Sequence, residues 1–290
     1  MDAETRKASE DGRAQRSRAG PRLRALTFLA PGIPRAFFEL VTGALERALG
    51  CAVELDTDGG TSGPMQGDPD PFGEGRADIG FLCSPSYLYL RAQARPSVEL
   101  VPAAFAFRDP RAAGEPVYFS DVVVLAEHAA LEFGELAGGA WGYNDECSLS
   151  GYFAALQRLS ELGCGGDFFG RRVRTGSHQA SVAAVLAGDV DSAAIDSTTL
   201  ALMLREQPGL RARLRVLESF GPFPIQPVVV RSELGAGWAA RIAAALLALH
   251  HDADLARRLA RFGLERCVPI DDTAYAQERR ALRDLGQLPA

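Results

Sequence analysis

The sequence predicts an α/β protein folded as two lobes joined by two crossing segments. Three observations carry that expectation. Short apolar runs alternate with helical patterns along most of the chain, a turn-rich stretch interrupts the first series at residues 109–116, and a proline-rich run at residues 221–227 ends the second. Pro222, Pro224 and Pro227 stiffen that run into an extended return crossing. Two α/β sandwiches joined this way leave a cleft between them, the usual seat of a ligand.

After a tail at residues 1–20, rich in charged residues and Ser and read as disordered, a strand is expected at residues 23–29. A helix at 35–49 and a strand at 52–56 follow. The loop at 59–75 holds Pro64, Pro69, Pro71 and several glycines, which exclude regular structure and suggest a segment bordering the site. A strand at 78–83, a helix at 85–91 and a strand at 98–107 complete the first series. The second holds a strand at 117–125, a strand near Trp141, a helix at 151–162, a strand at 172–175, a helix at 179–187, a strand at 192–195 and a helix at 198–205. A strand at 228–231 rejoins the first sheet, and helical patterns at 238–250, 255–262 and 275–285 pack outside it. Lobe 1 is thus expected to comprise residues 21–116 and 226–290, and lobe 2 residues 117–225.

The 290 residues, 47% hydrophobic and 23% charged, suffice for real cores, and a net charge of −6 without a basic cluster beyond the tail argues against nucleic acid. Five scattered cysteines form no CxxC pair and have no nearby His at zinc-ligand spacing, so neither a metal nor a disulfide framework is expected. No organic cofactor is expected, since neither a Walker sequence nor a GxGxxG turn opens a helix. No apolar run approaches the length that spans a bilayer, and none at the N-terminus reads as a secretory signal. As it stands the chain is expected in the cytoplasm, and a periplasmic location requires a different start.

The strongest local signal runs from Trp141 to Tyr152, where a short strand meets Ser148, Leu149, Ser150 and Gly151 at the start of a helix. The first N–H groups of a helix have no partner within it and carry a partial positive charge, so this junction is a seat for an oxyanion. Capping of the helix by the serines is the competing reading. His178 and Asp196 likewise serve as helix-start residues in the alternative reading, and Tyr87 as a core aromatic. Ser150, His178 and Asp196 have the residue types of a hydrolase triad, yet the GxSxG elbow is absent because Ser148 stands two residues before Ser150.

An ordered set of segments carries a wider likeness: 77–81 with Ser84 to Tyr87, 117–124, 144–151, 176–178, 187–196 and 224–230. In these the chain resembles the phosphate, phosphite and phosphonate substrate-binding proteins of ABC transporters, within the type 2 periplasmic-binding-protein fold. The resemblance implies that Ser148, Leu149 and Ser150 grip the oxyanion, that His178 adds a donor, that Tyr87 closes from lobe 1, and that Asp196 meets the ligand's far end. It also implies an ABC permease as partner and no covalent chemistry. Leu149 stands where the family usually has Thr, leaving a backbone N–H but no hydroxyl. Two alternatives share the fold: an enzyme acting on a small carboxylate, resembling chorismate dehydratase, and a cytosolic anion sensor.

Overall fold

The computed structural model describes residues 22–288 apart from residue 236; the tail expected at residues 1–20 lies outside the described residues. Strand β1 (Arg22–Thr27) buries Leu23, Ala25 and Thr27, turns Arg22 and Arg24 outward and leaves Leu26 half-buried, the two-residue period of a strand. Helix α1 (Arg35–Leu49) follows Pro34 and ends at Gly50, which takes φ 68° and returns its N–H to the Glu46 carbonyl. Phe37, Phe38, Val41 and Leu45 lie three and four residues apart on its buried face.

β1 pairs in parallel with β2 (Ala52–Thr57) and β3 (Ile79–Phe81), while β11 (Val228–Arg231) lies antiparallel to β3 and to β4 (Val98–Leu100). The order is β2-β1-β3-β11-β4. The loop between β2 and β3 is pinned by Phe72, whose ring lies against Gly80; a Cβ at Gly80 would fall 2.4 Å from that ring. Helix α2 (Ser84–Arg91) follows β3 at once.

The expected strand at 98–107 is two strands. Pro102 has no N–H to donate at the break, and β5 (Ala104–Phe107) leaves for a separate ribbon with β12 (Leu264–Val268), a strand that the sequence reading did not include. Phe37 packs edge-on to Phe38, Phe105 and Phe262, tying the ribbon to α1 and the C-terminal helices. Each such buried side chain contributes about 1.5–3 kcal/mol.

The second sheet has the order β10-β6-β9-β7-β8. β6 (Val117–Leu125) is apolar on both faces: Val122 and Val124 join Phe133, Trp141, Leu159 and Phe169, while Val123 joins Val182, Val185, Ile195 and Leu200 on the other side. β7 (Ala140–Tyr143), β8 (Arg171–Arg174) and β9 (Ser192–Asp196) run parallel to one another. Helices α3 (Ala154–Glu161), α4 (His178–Ala187), α5 (Ser197–Glu206) and the short α6 (Leu210–Arg213) connect them. The expected return crossing at residues 221–227 starts later than its prolines suggest, because Gly221 to Pro224 still belong to β10 (Leu214–Pro224), an eleven-residue strand antiparallel to β6 that the sequence reading did not include. Helices α7 (Trp238–Leu247), α8 (Ala253–Ala260) and α9 (Ala276–Asp284) complete the chain. No helix among the described residues is long and apolar enough to cross a membrane.

Candidate functional site

The carboxyl ends of β1 and β3 in one sheet and of β7, β8 and β9 in the other meet at one cavity of about 50 Å³. Open α/β sheets place ligands there because the adjoining loops and helix starts supply polar backbone groups. Phe28 to Ile33 after β1, Cys83 after β3, and Thr61 and Ser62 from the long loop form one wall. Asn144, Asp145, Ser148 and Ser150 after β7, Gly176 to His178 after β8, and Asp196 at the end of β9 form the other, with Gln226 of the return segment between them.

The expected strand-to-helix junction is present in a modified form. Leu149–Phe153 is a π-turn, wider than an α-turn, and Phe153 reaches back to the Ser148 carbonyl at 3.1 Å. Ser148 caps it, its hydroxyl oxygen accepting the Gly151 N–H at 3.1 Å, which leaves the hydroxyl hydrogen to donate. The Ser150 hydroxyl stands 3.3 Å from His178 Nε2. His178 opens α4, while Ser177 caps that helix through the Ala180 N–H. Asp196 does two things at once: one oxygen caps α5 by accepting the Thr199 N–H at 2.9 Å, and the other accepts Gln226 Nε2 at 2.5 Å.

The structure therefore brings Ser148, Ser150, His178 and Asp196 to one cavity, and differs from the sequence reading at two points. Tyr87 is fully buried away from it. Its hydroxyl donates to Asp272 at 2.5 Å and its ring packs edge-on to Tyr275, because α2 points that face toward the C-terminal segment. Leu149 does not offer its N–H to the cavity; that group donates to Cys83 Sγ at 3.3 Å, and the side chain joins the apolar cluster of lobe 1. At His178 burial pulls the imidazole down to about 4, with the Ala194 backbone opposing, so the ring that would act as a donor is neutral. The triad is not assembled either, since the Asp196 oxygens are engaged by Thr199 and Gln226.

Asn144, Asp145, Ser62 and Gln226 were missed. Asp145 is buried yet accepts from the Ser62 N–H at 3.1 Å, the Ser62 hydroxyl at 2.8 Å, Asn144 Nδ2 at 2.8 Å and the Cys147 N–H at 2.9 Å. Desolvation pushes its carboxyl up and these donors oppose the shift. The Ser62 bonds join the two walls, as do Gln179 Nε2 to the Pro31 carbonyl at 2.8 Å and Arg174 Nη2 to the Gly60 carbonyl at 3.2 Å. The signal was topological: Asn144 and Asp145 directly follow β7, at the end where such sheets bind. No Lys or Arg is among the described residues that line the cavity, while Asp145 and Asp196 are, so the donors it offers are N–H and O–H groups. No group of His, Cys, Asp and Glu among the described residues could hold a metal ion.

Tyr87→Phe is expected to lower stability by about 1–3 kcal/mol, through loss of the hydrogen bond to a carboxylate, while ligand affinity stays within about twofold. Urea unfolding and calorimetric titration check the two halves; a collapse of affinity would return Tyr87 to the site.

Comparison with known proteins agrees with this architecture. A binding protein component of an ABC phosphonate transporter from Pseudomonas aeruginosa superposes with a TM-score of 0.74 at 17% identity, covering 90% of this chain and 85% of its own. A Prochlorococcus marinus protein solved in complex with methylphosphonate gives 0.72 at 16% identity, covering 92% and 99%. The periplasmic aliphatic sulphonate binding protein of Escherichia coli gives 0.62 at 15% identity, covering 93% and 89%. At these identities the likeness shows the fold, two lobes of type 2 periplasmic-binding-protein form. No curated protein matches the chain. The sequence profile described as ABC transporter, phosphonate, periplasmic substrate-binding protein matches residues 36–275, most of the chain. These are transport components rather than enzymes, and the chain belongs to this family of phosphonate substrate-binding proteins of ABC transporters.

Proposed function

We propose that the chain captures a small phosphorus oxyanion, namely phosphate, phosphite or a short phosphonate, between its lobes and presents it to an ABC permease outside the cytoplasm. The observation that carries this reading is the cavity itself: about 50 Å³, walled by both lobes, with the Ser148 and Ser150 hydroxyls at a helix start and no basic side chain among its described lining residues. So small a volume suits a tetrahedral anion with at most a short substituent. Ser148, Ser150 and His178 would hold the oxygens, and Asp196 would face the remaining substituent. Lobe 2 would span residues 117–225, with the hinge near Val117 and Pro224. Arg111 bridges that region, pairing with Asp109 at 2.7 Å and with Asp121 of β6 at 2.8 Å. The family's description as periplasmic supports that setting.

A thermal-shift screen tests the reading with phosphate, phosphite, methylphosphonate, aminoethylphosphonate, sulfate and aromatic carboxylates. A ligand at 100 times its Kd adds about 2.7 kcal/mol to folding stability by mass action. Ser150→Ala is expected to weaken the best ligand by about 10- to 100-fold, the worth of a hydrogen bond to a charged group. If no phosphorus oxyanion shifts the transition, the proposal fails; an unchanged shift in Ser150→Ala removes that residue from the site.

A further inference from the structure

Asp145 is itself an oxyanion held from both walls of the cavity. It is buried, and each of its carboxylate oxygens accepts one donor from either side. Oδ1 takes the Ser62 N–H at 3.1 Å and the Cys147 N–H at 2.9 Å, while Oδ2 takes the Ser62 hydroxyl at 2.8 Å and Asn144 Nδ2 at 2.8 Å. All four partners donate, so the group acts as an ionised acceptor. The bonds to Cys147 and Asn144 are local to the turn after β7. Those to Ser62 reach across 83 residues to the loop between β2 and β3, which belong to the other sheet.

Each side of this contact is anchored to its own sheet. Cys83, just after β3, donates its N–H to the Ser62 carbonyl at 2.9 Å, and Gly176, after β8, donates to the Asn144 carbonyl at 3.0 Å. Parting the walls therefore draws Ser62 off Asp145 instead of carrying the loop along. That step strips two donors from a desolvated carboxylate, and hydrogen bonds to a charged, buried group are the costly ones to lose. The ties from Gln179 to the Pro31 carbonyl and from Arg174 to the Gly60 carbonyl lie exposed, where water replaces a lost partner at little cost. We propose that Asp145 is a clasp between the lobes: a carboxylate fixed to one lobe and gripped by the other, through which the protein favours closure with its own oxyanion, and to which any captured ligand adds. The clasp needs no particular ligand.

The distance between the lobes tests this. Spin labels at Glu39→Cys on α1 and Glu206→Cys on α5, both exposed positions, read it in the full chain in Tris buffer free of oxyanions, with Cys164→Ser because that thiol is only half-buried. With Asp145 and Ser62 unaltered, about 90% or more of the molecules are expected at a single short distance. Asp145→Asn is expected to lower the ratio of short to long distances by about 10- to 100-fold. Ser62→Ala keeps the bonds inside the turn and the backbone N–H of residue 62, so the ratio should fall by about 3- to 10-fold, and combining it with Asp145→Asn should add little. An unchanged distance in the folded variants would overturn the clasp, as would a long distance predominating when both residues are intact. A widening in Asp145→Asn with none in Ser62→Ala would confine Asp145 to the turn after β7 and overturn it too. No anion is added, so the oxyanion reading stands or falls separately, on the thermal-shift screen.

Discussion

Gly151→Ala will abolish ligand capture. A Cβ at residue 151 would fall 1.8 Å from Asn144 Oδ1, 2.9 Å from Asn144 Cγ and 3.2 Å from Ser148 Oγ. Asn144 has no room to withdraw, because its Nδ2 donates to Asp145 at 2.8 Å and to the Ser62 hydroxyl at 3.2 Å. Either the π-turn moves, which displaces Ser148 and Ser150, or Asn144 moves, which breaks the bonds that join the two walls. Both routes damage the seat. The affinity loss is expected to reach at least about 100-fold, with about 1–3 kcal/mol of stability lost to overpacking. Gly43→Ala on α1 is the control: the nearest atom to its added Cβ is Arg47 Nη1 at 3.8 Å, and a helical Gly→Ala change there should add about 0.5–1 kcal/mol without touching binding. Calorimetric titration and urea unfolding measure both variants. Wild-type affinity in Gly151→Ala would show that the seat lies elsewhere.

The same residues explain what was legible in the sequence. Ser148, Ser150 and Gly151 stand at a strand-to-helix junction, and local pattern fixes both the capping geometry and its place at the carboxyl end of β7. The other half of the cavity was not legible, because it depends on pairings with no local trace. Ser62 meets Asp145 across 83 residues and Tyr87 meets Asp272 across 185. Tyr87 shows the limit of a motif: it places a side chain on an element but not the side of that element. Leu149 shows the converse, since its bulk is explained once the seat is seen to pack on the core of lobe 1. The division of residues 98–107 was readable at Pro102, whereas the pairing of β5 with β12 was not.

Glu278 should make folding stability fall as pH rises through neutrality. It sits on α9, fully buried, and neither carboxyl oxygen makes a well-formed hydrogen bond among the described residues. Desolvation pushes it up to about 8 from 4.5, with the Ser84 hydroxyl opposing. Between those values the folded protein holds a proton that the unfolded chain releases, so this contribution is full below 4.5 and is lost as pH climbs through 8. Two other groups titrate lower. His178, pulled from 6.5 down to about 4, costs stability as pH falls through that window, and Asp196, raised from 3.8 to about 6, costs stability as pH rises through its own. Both fade within about a pH unit above 6.5 and their residual slopes have opposite signs, which leaves Glu278 to dominate the slope from there to pH 8. Over that interval the unfolding free energy is expected to drop by about 2 kcal/mol. Glu278→Gln keeps the volume and removes the proton, so its stability should be flat across the interval and exceed that of the unaltered protein at pH 8.5. Urea unfolding at half-unit pH steps decides it: equal slopes in the two proteins would mean that the Glu278 carboxyl ionises inside the fold without penalty.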